Sequence, residues 1–179
     1  IQVLILVAVL SMFAILSIAF RSYFLPILIL SALPFGFCGA VLGHIIFGKG
    51  LSMISYWGIG AACGVVVNDN LVLVDSINRL KGSGKHILEC IVESGVTRFR
   101  PIIITSITTF VGLMPMMLEP SVQANFLKPA VISLSFGVVL SSSVTLILVP
   151  CLYLIGDDVK KSLEQFKASI RSQISKKST

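Results

Sequence analysis

Polarity along this chain changes in long blocks. Residues 1–20 are apolar apart from Gln2 and small hydroxyl residues, and Arg21-Ser22-Tyr23 breaks the run. Further apolar runs cover about residues 24–47, 56–78, 101–118 and 129–155. They are separated by Gly48-Lys49-Gly50, by the polar stretch Arg79–Arg100 and by the connection Glu119–Lys128. Each run is close to the roughly 20 residues that a helix needs to cross a hydrocarbon core. Membrane strands would be about half as long and would alternate in polarity. The pattern therefore predicts an all-α membrane protein: a bundle of five transmembrane helices over residues 1–155, followed by a basic tail over 156–179. Within the Arg79–Arg100 stretch, Ile87, Leu88, Ile91 and Val92 line one face, opposite Glu89 and Glu93. That stripe predicts a surface-lying connector helix over about residues 85–94, with Gly95 as its stop.

Composition agrees with immersion in lipid. The chain is 55% hydrophobic and 12% charged, whereas soluble domains carry about 25% charged residues. A soluble enzyme or a nucleic-acid-binding domain is excluded on that ground. The net charge of +6 comes from 14 Lys and Arg against 8 Asp and Glu. Twelve of those fourteen fall on one side of the predicted bundle: Arg21, five in the Arg79–Arg100 stretch and six in the tail. Only Lys49 and Lys128 fall on the other. Such a bias orients helices with the basic side in the cytoplasm, so the tail is expected there. The basic surplus thus marks topology rather than a nucleic-acid patch. Stripes of Leu163, Phe166, Ile170 and Ile174 among basic residues suit adsorption to anionic lipid. The four cysteines have no spacing that suggests disulfides or a metal site. A start inside an apolar run, without a basic leader segment, reads as a piece of a longer membrane protein.

The costliest feature is Asn68-Asp69-Asn70 inside the third run. Asp69 lies twelve residues after Trp57 and ten before Arg79. At a helical rise of about 1.5 Å, it sits roughly 18 Å and 15 Å from the two interfaces, close to the midplane. A charge there costs on the order of 2.5–3.5 kcal/mol on insertion scales, so it must face protein or water. Removal from water favours the neutral form of a carboxyl group. An acid that loads and unloads a proton at mid-membrane is the elementary part of a proton-driven pump. The competing reading is that the cluster only joins helices by hydrogen bonds. Ala61, Gly64, Asn68 and Asp75 form a small and polar stripe, and Asp75 reads as a charge at the helix end.

Small residues three or four apart permit close helix packing. Gly60 and Gly64 in the third run, and Gly36, Gly39 and Gly43 in the second, are the candidates. Gly58-x-Gly60-x-x-x-Gly64 has neither the spacing nor the preceding strand of a nucleotide-binding loop. His44 reads as a hydrogen-bonded residue near the outer end. The fourth run carries Thr105, Ser106, Thr108 and Thr109, whose hydroxyls can relay protons or bond to their own helix. No nucleophile, acid dyad or His-rich metal set is present: Asp69 and Asp75 are about 240° apart around a helix.

Taken together, several motifs resemble the resistance–nodulation–cell division (RND) superfamily, in particular its hydrophobe/amphiphile efflux permeases. They are Ala19-Phe20-Arg21-Ser22-Tyr23, Ala32-Leu33-Pro34-Phe35-Gly36, Gly64 to Asp75, and Arg98-Phe99-Arg100-Pro101-Ile102 running into Thr105-Ser106. The resemblance covers residues 1–157 as the last five spans of a twelve-span transporter. It implies a proton-driven exporter of drugs or other amphiphiles in the bacterial inner membrane, a secondary transporter rather than an enzyme, without a cofactor. It implies a homotrimer working with a periplasmic adaptor and an outer-membrane channel. By position, Asn68 and Asp69 match the family's tenth-span relay and Thr105 its eleventh-span hydroxyl. The third run would face the family's fourth span. Many multidrug members carry a lysine where this chain has Asn68, so here the acid Asp69 sits on the helix itself. Depth alone puts Thr108 and Thr109 nearer Asp69 than Thr105. Two other readings stay open: a protein-export accessory subunit of the same superfamily, and a membrane scaffold or sensor.

Overall fold

A computed structural model describes residues 2–82, 84 and 86–177, all of whose regular structure is helical. The order is α1 (Gln2–Phe20), α2 (Phe24–Leu30), α3 (Leu33–Ile46), α4 (Met53–Gly82), α5 (Ile87–Leu118) and α6 (Val122–Lys177). Stretches Phe24–Ile46, Met53–Gly82, Ile87–Leu118 and Val122–Val159 are long and apolar enough to cross a membrane. The apolar part of α1, Ile5–Phe20, is shorter. The second predicted span is therefore one crossing built of two helices. The break falls just before Pro34, the second residue of α3, which has no N–H to donate to the preceding turn. Arg21, in the turn between α1 and α2, takes a left-handed conformation at φ 49°.

Two expected boundaries are corrected. The connector predicted over residues 85–94 is not a separate helix; α5 runs through Gly95 and Pro101 without interruption. Ile87, Cys90, Ile91 and Ser94 are buried and continue into buried Ile102 and Ser106. Ile87 and Ile91 join a core cluster with Ile77, Leu73 and Tyr153. Packing along one continuous face outweighs the single backbone hydrogen bond that Pro101 removes. His86 caps the start, its Nδ1 accepting from the Leu88 N–H at 3.4 Å. Likewise α6 begins at Val122, not Pro129, and carries straight on into the tail as far as Lys177. The apolar stripe of Leu163, Phe166, Ile170 and Ile174 lies outside the side chains that the structure describes.

The bundle is built around α6, which packs against α3, α4 and α5. Contact is close because small residues meet. A side chain on Gly39 would strike the Phe136 carbonyl, and one on Gly58 would strike the Ala130 carbonyl. Gly137 approaches the Ala62 methyl so tightly that an added Cβ would lie 3.0 Å from it. Lipid tails are as apolar as leucine, so such packing, not hydrophobic burial, holds membrane helices together. At one end Phe136 meets Phe47 and Phe110 edge to face, with ring centres 6.0 and 5.3 Å apart. At the other, the Tyr153 hydroxyl donates to Asn78 Oδ1 at 2.5 Å and Lys81 pairs with buried Asp157.

A candidate proton-relay site on α4

Asn68, Asp69 and Asn70 occupy the middle of α4 and point in three directions. Asn70 is fully buried, and its Nδ2 donates to the Ile29 carbonyl of α2 at 3.2 Å. It is the helix-joining residue of the three, a role that the sequence offered to the whole cluster without singling out Asn70. Asn68 is exposed. Asp69 is half-buried, yet its Oδ2 is shielded and has no hydrogen-bond partner. A shielded carboxylate oxygen without a donor costs free energy in any low-dielectric setting. That cost makes Asp69 the chemically poised member of the cluster.

The remaining predicted residues divide by face. Gly36, Gly39 and Gly43 are buried against α6; an added Cβ would lie 3.0 Å from Ser141 Oγ at Gly36 and 2.7 Å from the Phe136 ring at Gly43. Gly60 and Gly64 depart from expectation: a Cβ at either would meet nothing within 4 Å. The close approach of α4 belongs instead to Gly58, two residues earlier. Ala61, Gly64 and Asn68 therefore form an exposed strip along α4. Thr105 is exposed too, and its hydroxyl donates to the Pro101 and Ile102 carbonyls of its own helix at 3.1 and 2.9 Å. Thr108 does the same toward Ile104. Among the described residues, no hydrogen bond joins Asp69 to Thr105. Asp75 is bound to Arg79 one turn on, at 2.8 Å, as an exposed ion pair. His44 is buried, with Nδ1 on the Ala40 carbonyl and Nε2 on Ser55 Oγ, both at 2.9 Å.

A cavity of about 520 Å³ opens between α2, α4 and α6 near Ser22, Asn78 and Tyr153. Four of its polar side chains are engaged with one another, Lys81 with Asp157 and Tyr153 with Asn78. It lies near the end of α4, away from Asp69.

An unpartnered mid-helix carboxyl in a bundle of apolar helices marks a functional position in a membrane protein. Comparison with known proteins shows the family: residues 1–157 match the AcrB/AcrD/AcrF family, and the chain belongs to it, within the RND superfamily of efflux permeases. Among its relatives is the multidrug resistance protein MdtC of Proteus mirabilis (strain HI4320), 32% identical over 164 residues. That match takes in 91% of this chain but only 16% of the relative's length. Two crystal forms of a heavy metal efflux pump have a similar fold, with TM-scores of 0.75 and 0.73, both at 26% identity. They cover 86% and 87% of this chain and 15% of the pump.

Proposed function

We propose that the chain forms the C-terminal part of the membrane domain of a proton-driven efflux permease, in which Asp69 takes up and releases the transported proton. One observation carries the reading: a shielded, unpartnered carboxylate oxygen in the middle of a membrane-spanning helix. Asn68 and Thr105 complete the relay on the exposed side of the bundle. There the open strip of Gly60, Gly64 and Asn68 is shaped for another helix of the same transporter. The name of the MdtC relative supports drugs or other amphiphiles as the exported class. The proton gradient supplies the energy, so no cofactor enters the cycle. A location in the bacterial inner membrane with the C-terminus in the cytoplasm follows from the basic bias of one side. Family membership supports assembly as a homotrimer with a periplasmic adaptor and an outer-membrane channel.

The test is Asp69→Asn in the full-length protein. Export driven by an imposed proton gradient should be lost, while insertion and assembly persist. Normal export by this variant would remove Asp69 from the mechanism.

A further inference from the structure

The hydroxyl groups nearest in level to Asp69 inside the bundle lie on α6. Four cross-contacts fix how α4 and α6 align: Gly58 with Ala130, Ala62 with Gly137, Asn78 with Tyr153 and Lys81 with Asp157. The two helices run parallel, and the last two pairs are offset by 75 and 76 residues. At that offset Ser141 and Thr145 fall opposite residues 66 and 70, within one turn of Asp69. Asp69 lies seven residues after Ala62 and eleven after Gly58, so it stands at the edge of the strip of α4 that meets α6. Ser141 lies four residues after Gly137 and eleven after Ala130, on a strip of α6 that meets both α4 and α3, where a Cβ on Gly36 would lie 3.0 Å from its Oγ. Thr145 lies one turn further along it.

Several hydroxyls in the chain bond to their own helix, and these two do not. Thr105, Ser106, Thr108 and Ser143 donate to carbonyls of their own helix. Ser141, Ser142 and Thr145 are 0%, 2% and 2% exposed, and their hydroxyls have no hydrogen-bond partner; the same holds for Asp69 Oδ2 and, earlier on α6, for Ser133 and Ser135. Buried polar groups are nearly always satisfied, so the orphans gathered at this level, Ser141, Ser142, Thr145 and Asp69 Oδ2 with Asn70 Oδ1 beside it, point to exchange among them, directly or through an ordered water. Nothing else there can titrate. Pro101–Leu118 of α5 and Pro129–Pro150 of α6 contain no ionisable side chain, and neither does Gln2–Phe20 of α1. α2 and α3 offer only Cys38 and His44, and His44 is bound to Ala40 and Ser55. On α4 itself, Cys63 is a thiol and Asp75 is held by Arg79.

We infer that Ser141 and Thr145 are positioning residues that carry protons between Asp69 and the interior of the bundle. In one direction a proton arrives on a hydroxyl oxygen as that hydroxyl passes its own proton to the carboxylate; rotation about the C–O bond then resets it. The inference rests on Asp69 being the proton carrier.

The experiment uses the full-length protein in lipid bilayers and reads the rate at which the Asp69 carboxyl exchanges with D2O, from its C=O stretching band. Asp69→Asn identifies the band. Ser141→Ala with Thr145→Val should slow exchange on the order of 100-fold, and Thr145→Ser should restore the rate. Unchanged exchange in the double variant overturns the inference. If the double variant does not fold, each single substitution reads the same rate on its own. Normal export by Asp69→Asn, with exchange still slowed by the α6 substitutions, would defeat the proposed function while leaving the α6 route in place.

Discussion

The two sides of α4 are made of the same materials and have opposite fates. One carries Gly58, Ala62 and Asn70, all buried, with α6 and α2 pressed against them. The other carries Gly60, Ala61, Gly64 and Asn68, all exposed. Glycine and asparagine at helical spacing thus mark a surface fit for close approach without saying which helix approaches. Asp69 sits at the border between the two sides, which suits a group that exchanges with both.

The largest effect that would break this comparison is at the border itself. Asp69→Asn should reduce proton-coupled export on the order of 100-fold or more, read as gradient-driven efflux from proteoliposomes. Next is a glycine pair. Gly58→Leu should destabilise the fold by about 1–3 kcal/mol or more through forced overpacking against Ala130. Gly60→Leu should change stability by no more than about 0.5 kcal/mol, yet lower export if another helix of the transporter covers that face. Unfolding in detergent micelles measures the first effect and transport the second; equal losses of stability would erase the distinction. The asparagines should repeat it on a smaller scale. Asn70→Leu removes the bond to Ile29 and should cost about 1 kcal/mol, whereas Asn68→Leu should leave folding stability nearly untouched. The smallest expected change is Tyr153→Phe, which deletes the bond to Asn78. It should cost about 0.6 kcal/mol, the average for a hydrogen bond between membrane helices, and a double-mutant cycle with Asn78→Ala would isolate it.

Much of the fold was legible in the sequence because length and polarity act locally. Apolar runs near 20 residues mark spans wherever they occur, although the break that divides the second run into α2 and α3 before Pro34 was not read from them. Gly95 and Pro101 misled for the same reason. Each is a local stop signal, and each was overridden by a buried face running from Ile87 to Ser106. Asp69 stood out by its cost alone. The buried hydroxyls of α6 went unread, although Ser133, Ser135, Ser141, Ser142 and Thr145 crowd one apolar run. Serine and threonine in a membrane helix ordinarily bond to their own backbone, and no local pattern distinguishes those that do not.

Composition along the chain was enough to set depth: which segments enter lipid, which side gathers positive charge, and that a carboxyl stands at mid-membrane. Tertiary structure alone set direction around each helix axis. It chose Gly58 over Gly60, Asn70 over Asn68 and α6 as the central helix. The physical reason is that water and lipid differ greatly in polarity, so depth is written in hydropathy. The inside of a bundle and the surrounding lipid are almost equally apolar, so the side of a helix that faces its neighbours is decided by shape and contact.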